Sequence, residues 1–252
     1  MIASMIFFPE KEWDESPADY GLLWEDASFQ TSDHVKLHGW FLKAADEKGV
    51  VLFFHGNAGN ISGRLFKAKG WVERGFSVFL VDYRGYGKSE GQIQTQEDVL
   101  KDARAAWDWL IVKKSESSSI ILYGESLGTH PAIVLAGENK AAALVLEAPF
   151  TSFADLAGVH YPFVPKMLVR DFIFPNLDRI HAVRCPVFIL HGTNDEICPY
   201  AMAQKLFEFA PGPKELFTIP SGTHNDLPSA AGQDYWQKTA EFLAKHIGST
   251  WP

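Results

Sequence analysis

Apolar positions along the chain fall into two patterns that take turns. Short runs, apolar at nearly every position and rich in β-branched and aromatic residues, stop at turns marked by Gly, Pro or Asn. Longer stretches between them repeat their apolar residues three or four apart. Val50-Val51-Leu52-Phe53-Phe54 stops at His55-Gly56-Asn57-Ala58-Gly59, and Ser77-Val78-Phe79-Leu80-Val81 stops at Asp82-Tyr83-Arg84-Gly85. The runs at 120–123, 143–146, 186–190 and 214–219 behave alike. A strand covered by helices on both faces needs continuous apolar runs of this kind. Between them the period predicts helices over 96–112, 127–137, 201–209 and 234–246. In the first, Val99, Ala103, Ala106 and Leu110 make one apolar face. Strand–helix alternation at this spacing predicts one open α/β sheet, mostly parallel and wound right-handed. Ahead of it, 23–30 and 35–43 can pair through Thr31-Ser32-Asp33-His34 as an antiparallel hairpin at one edge. No repeat or internal linker interrupts the pattern, so a single domain over 1–252 is expected.

Composition excludes several classes of function. The chain has 252 residues, 46% hydrophobic and 21% charged, which suits a globular protein with a large core. Its net charge of −8 offers no basic surface to nucleic acid or anionic lipid. Two cysteines, Cys185 and Cys198, make neither a disulfide framework nor a metal cluster, and read as half-buried thiols of a reducing compartment. The start, MIASMIFFPE, lacks the basic residues and the long apolar core of a secretory signal. No run approaches the roughly 18 apolar residues of a membrane span. A cytoplasmic protein without a membrane span is expected, with peripheral membrane association left open and no oligomeric state specified.

Candidate chemistry begins at Gly124-Glu125-Ser126-Leu127-Gly128, directly after an apolar run and before a helical one. This is G-x-S-x-G, in which a serine takes a strained turn and glycines let neighbouring backbone come close. Roughly one chain in ten of this length carries the pentapeptide by chance, so its place between strand and helix matters more than the pattern. Serine needs a base to accept its proton and a carboxylate to orient that base. On a strand–turn–helix serine the order is Ser, Asp or Glu, then His. Two later strand ends provide these: Asp195 in FILHGTNDEICP and His224 in LFTIPSGTHND. A tetrahedral intermediate also needs donors for its oxyanion. The backbone N–H of Leu127 supplies one, and the glycine-rich turn after 50–54 points to the main chain of Asn57 for the second.

Rival residues read as structural. His55 and His191 each precede glycine at a strand end and are expected to bond nearby backbone. His130 sits on the helix after Ser126 and cannot take the position of the base. Asp226 is only two residues from His224 and is expected to point away from it. Asp82 precedes the serine, against the chain order. Glu125 supports the serine turn, and Glu147 reads as structural. With no H-E-x-x-H and no clustered ligands, neither a metal nor an organic cofactor is expected.

HGNAGN, DYRGYGKSEG, GESLG, HGTND and SGTHND together resemble the α/β-hydrolase fold. More narrowly, they resemble the compact serine hydrolases of the bud-emergence-suppressor-like branch, relatives of protein depalmitoylases and lysophospholipid hydrolases. The likeness runs from about residue 7 to 247. It implies Ser126 as nucleophile, Asp195 as orienting acid and His224 as general base. Eukaryotic relatives often carry a membrane-spanning helix ahead of the Phe-Phe-Pro segment, where this sequence begins. Thr129-His130-Pro131 departs from the small helix formers usual after the serine, and Pro131 is tolerable only because it falls in the first turn.

In this fold the insertion after the 143–146 strand often roofs the pocket. Here that segment is 150–180, where Phe153, Tyr161, Phe163 and Met167 are candidates to line an acyl slot as a short lid; helices packed on the sheet are the alternative. The expected activity is hydrolysis of a small acyl ester through an acyl-enzyme. A thioesterase acting on acyl proteins or acyl-coenzyme A, an oligopeptidase and a non-catalytic binding protein remain as alternatives.

Overall fold

The computed structural model describes residues 3–114, 120–161, 163 and 170–247. Its contacts group into two compact units, Met1–Ile121 and Leu122–Pro252. The first unit opens with α1 (Ala3–Ile6), β1 (Phe8–Pro9) and the hairpin β2 (Leu23–Gln30) and β3 (Lys36–Lys43). There follow β4 (Gly49–Phe54), β5 (Ala58–Gly59), α2 (Leu65–Val72), β6 (Phe76–Val81) and α3 (Gln96–Lys114). Within it the strand order is β4-β6-β3-β2. The hairpin is antiparallel, with Leu23 opposite Lys43 and Gln30 opposite Lys36. β3 runs antiparallel to β6, and β6 parallel to β4. Every residue of β4 and β6 is buried, as runs without polar alternation require. Fully burying each Val, Leu or Phe contributes about 1.5–3 kcal/mol.

Arg84 is buried in this unit, a cost met by three carboxylates. It donates to Asp33 in the hairpin turn and to Asp98 and Asp102 on α3. Its charge therefore pins turn to helix, with the paired groups offsetting much of the desolvation.

The second unit takes over within β7 (Ile120–Glu125). A tight turn over Ser126–Gly128 leads into α4 (Thr129–Glu138), then β8 (Ala143–Glu147), α5 (Phe153–His160) and α6 (Asn176–Ile180). β9 (Val187–Gly192), α7 (Tyr200–Phe209), β10 (Lys214–Ile219), α8 (Leu227–Ala231) and α9 (Gln233–Ile247) complete it. The order here is β10-β9-β8-β7. β8 and β9 pair in parallel, with Glu147 opposite Leu190, and β9 and β10 do so with Gly192 opposite Ile219. Their carboxyl ends therefore share one edge, and the loops after β9 and β10 start there.

The architecture is that of the α/β-hydrolase fold, a mostly parallel central sheet with helices. The expected edge hairpin and all six expected strands are present, most to within a residue of their bounds. The helix expected over 127–137 opens instead with the tight turn at Ser126–Gly128, because the serine cannot enter the helix from its positive φ. Two features had no readable period. β1 pairs in parallel with β5 over two residues, Phe8 with Ala58 and Pro9 with Gly59, too short to leave a pattern. Helices α2 and α8 are also short.

Candidate active site

The serine turn is built by close backbone approach. Ser126 has φ +51°, in the left-handed region that costs a non-glycine residue about 1–3 kcal/mol. A Cβ placed on Gly124 would lie 2.4 Å from the Gly128 carbonyl oxygen and 2.7 Å from the Thr129 Cα. Only glycine fits at position 124. The bend is latched from outside: the Thr129 hydroxyl donates to the Ser126 carbonyl at 2.6 Å. The side chain of Ser126 is thus projected off the end of β7, ahead of α4.

Two loops bring its partners. After β9, Asp195 is buried, and its Oδ1 accepts from the backbone N–H groups of Ile197 (2.9 Å) and Cys198 (2.7 Å). After β10, His224 is half-buried. Its Nδ1 lies 2.8 Å from Asp195 Oδ2 and its Nε2 lies 3.0 Å from Ser126 Oγ. The loops are fastened to each other through main chain. Asn194 N–H donates to the Gly222 carbonyl (2.9 Å) and Thr193 N–H to the Ile219 carbonyl (3.1 Å). Burial alone would push the Asp195 carboxyl up; hydrogen bonds from His191, His224 and the Cys198 N–H outweigh it and hold the group well below the usual carboxylate range. Asp195 is therefore an anion beside His224, the state that favours a proton on Nδ1 and leaves Nε2 free to accept one from the serine.

The rivals fall away from this chain of bonds. Asp226 accepts from the Thr223 N–H (2.7 Å), capping its own loop. Asp82 accepts from the Ile61 N–H, 3.0 Å away, and faces His55. Glu147 is buried and accepts from the hydroxyls of Tyr123 and Tyr235. Burial, followed by the neighbouring Glu147, raises both tyrosines well above the ordinary phenol range. Both cysteines are free and fully buried, where the composition suggested half-burial. Burial and then Asp195 push the Cys198 thiol up, outweighing the opposing Ser126 hydroxyl. Cys198 is thus held as a thiol and is no competing nucleophile. Among the described residues, no group of three or more His, Cys, Asp or Glu could hold a metal ion. Nor is any helix there long and apolar enough to cross a membrane.

Asn176 was not legible from the sequence, yet it braces the start of α4. Its amide donates to the Phe150 carbonyl (2.9 Å), and its Oδ1 accepts from His130 Nδ1 (2.8 Å). An isolated Asn in an apolar segment carries no signal until its partners, tens of residues away, are known. His130 is buried, and burial lowers it to about 4, against roughly 6.5 in an unfolded chain. Between those values the unfolded chain binds the extra proton. Stability is therefore full above pH ~6.5 and declines as pH falls toward 4. We expect urea denaturation to show wild type losing roughly 2–3 kcal/mol more than His130→Gln between pH 7 and 4.5. Parallel pH slopes for the two proteins would rule this out.

The remaining sequence candidates are placed as follows. Leu127 is the middle residue of the tight turn Ser126–Gly128 and is buried. Asn57 lies in the turn between β4 and β5. Its carbonyl accepts from Phe8 N–H (3.0 Å) and the Tyr86 hydroxyl (2.8 Å), and its side-chain amide donates to the Ile6 carbonyl (2.6 Å). Its conformation is thus held on three sides by the N-terminal segment and Tyr86. Within 150–180, Phe153 lies on α5 with its ring 6.3 Å from that of Phe174, which is buried. Tyr161 is 66% exposed and Phe163 97% exposed. Met167 lies outside the described residues. The segment thus has a buried base and an apolar, solvent-facing part.

Comparison with known proteins finds relatives across nearly the whole chain. The family described as serine aminopeptidase, S33 matches residues 45–177. The chain is 36% identical, over 94% of its length and 83% of the relative, to the alpha/beta hydrolase domain-containing protein WAV2 of Arabidopsis thaliana. It is 31% identical, over 95% of its length and 83% of the relative, to protein bem46 of Schizosaccharomyces pombe. Among solved structures it is similar to the Pyrococcus furiosus esterase Pf2001, with a TM-score of 0.78 and 20% identity over 95% of this chain and 100% of that one. At that identity the likeness concerns the fold.

Proposed function

Because the chain belongs to the α/β-hydrolase family, we propose that this hydrolase cleaves carboxylic esters by acyl transfer to Ser126. The observation carrying this reading is the unbroken run of contacts Asp195 Oδ2–His224 Nδ1 (2.8 Å) and His224 Nε2–Ser126 Oγ (3.0 Å). His224 Nε2 takes the hydroxyl proton as Oγ attacks the ester carbonyl, and the new C–O bond forms as the carbonyl π pair moves onto oxygen. That oxyanion is received by backbone N–H donors, among them that of Leu127, each worth about 10²–10³ in rate. The intermediate collapses, the alkoxide leaves with the proton from His224, and Ser126 is acylated. Water then gives its proton to His224 as it attacks, and the acid departs as Oγ is reprotonated. Asp195 stays ionised and steadies the imidazolium at both stages. Of the described apolar residues of 150–180, Phe153 on α5 is the one placed to serve a short lid over the acyl side, packed beside the buried Phe174.

A second reading is peptide hydrolysis, favoured by the aminopeptidase description of the matched family. Thioesters form a third substrate class that the same triad would accept. Labelling with a fluorophosphonate, followed by rates on p-nitrophenyl esters of increasing chain length, acyl thioesters and aminoacyl p-nitroanilides, separates them. Stoichiometric labelling with ester turnover dominant is expected. Absence of labelling rejects the serine mechanism, and anilide turnover exceeding ester turnover makes the peptidase reading correct.

A further inference from the structure

Asp195 serves two histidines. His191, the last residue but one of β9, is completely buried, and its Nε2 lies 2.7 Å from the Cys198 carbonyl and 3.2 Å from Asp195 Oδ2. A carbonyl can only accept, so the proton of the neutral ring is on Nε2, and that N–H is shared between the two oxygens. Nδ1 is then a bare acceptor, buried and unpartnered among the described residues. An apolar side chain would fill this place without the cost of an orphaned nitrogen. What it could not do is donate to the acid. The oxygen that His191 reaches, Oδ2, is also the one that accepts from His224, while Oδ1 is taken by the N–H groups of Ile197 and Cys198.

We propose that His191 is a positioning residue for the triad: it locks the Asp195 carboxylate and, by sharing Oδ2 with His224, sets how strongly the acid supports the base. This rests on the serine-hydrolase reading. The groups facing the pair are His224 from the loop after β10, the Cys198 thiol from the acid's own loop and the ring of Tyr200 on α7, 5.8 Å from His191. From β10 itself the facing residue is the uncharged Thr218. With Asp195 ionised, a donor on Oδ2 draws charge from it. Removing the donor concentrates that charge on the bond to His224, so the imidazole holds its proton to higher pH. It also frees the carboxylate to turn away.

The test compares His191→Leu, which removes the donor, with His191→Gln, whose amide can reach the same two oxygens. In the Leu variant kcat should fall roughly 10–100-fold, the cost of a misplaced catalytic group. KM should change less than about twofold, as expected for an interaction outside substrate binding, and the acidic limb of kcat/KM should move to higher pH. The Gln variant should recover most of kcat and the wild-type limb. An unchanged limb in folded His191→Leu, or a Gln variant as impaired as Leu, overturns the proposal. Should the Leu variant not fold, ¹⁵N NMR of histidine-labelled wild type decides: a proton on Nε2 of His191 supports the proposal, and a bare Nε2 ends it. Wild type that no fluorophosphonate labels refutes the hydrolase reading instead, and is distinguishable because that assay involves no His191 variant.

Discussion

Ser126→Ala yields a folded protein whose ester turnover is at least roughly 10⁴-fold below wild type and which no fluorophosphonate labels. The hydroxyl oxygen is the atom His224 Nε2 faces at 3.0 Å, and alanine has nothing to offer in its place. The fold should be indifferent, because the latch on this turn is the bond from Thr129 to the Ser126 carbonyl, a main-chain atom. Alanine at φ +51° is no more strained than serine. Stability is therefore expected within about 0.5 kcal/mol of wild type, the range of substitutions that break no buried network. Whatever rate remains comes from oxyanion donors and binding. Steady-state kinetics on short p-nitrophenyl esters, with calorimetry as the folding control, checks both halves. Retained labelling in the alanine variant would remove Ser126 as nucleophile.

Gly192→Ala should damage both stability and activity without touching a reacting atom. Gly192 ends β9, just before the loop of Asp195, and a Cβ there would lie 2.1 Å from the carbonyl oxygen of Gly222 and 2.4 Å from its carbon. Gly222 precedes His224 by two residues and accepts the Asn194 N–H. Both obstacles are backbone, so relief requires the two loops to separate by roughly 1 Å, a displacement that costs about 10²-fold when it reaches catalytic groups. Forced overpacking costs about 1–3 kcal/mol in stability. Gly222→Ala is the control. Its Cβ would meet Ile219 Cγ2 (2.9 Å), Leu227 Cδ2 (3.0 Å) and the Gly192 Cα (3.2 Å), contacts looser than those at Gly192 and mostly with side chains, so a few tenths of an ångström relieve them. A fall in kcat and in thermal midpoint larger for Gly192→Ala than for Gly222→Ala is expected; equal effects would mean the loops are not held by this contact.

Much of this molecule is written locally. The strands β4, β6, β8 and β9 are apolar at nearly every position because helices and neighbouring strands cover them, and that pattern survives in one dimension. G-x-S-x-G is equally local, since the clash that excludes a Cβ at Gly124 involves Gly128 and Thr129, four and five residues on. The order of Ser126, Asp195 and His224, after β7, β9 and β10, was readable too, because in-register parallel strands put their carboxyl ends on one edge. Other features depend on distant segments and left no mark. Asn176 is an unremarkable polar residue until folding sets its amide against Phe150 and His130. The pairing of β1 with β5 spans two residues, too few for a period.

His191 shows the division most clearly. Its place at a strand end before glycine suggested a bond to nearby backbone, and that bond exists. That the same N–H also reaches Asp195 Oδ2 depends on how the loop from 193 to 198 folds back over the strand end. Sequence periodicity thus determined the layers and the chain order of the chemistry, because burial repeats with the geometry of each element. Only tertiary structure decided which atoms share a proton, because a difference of an ångström in loop path leaves the residue types unchanged.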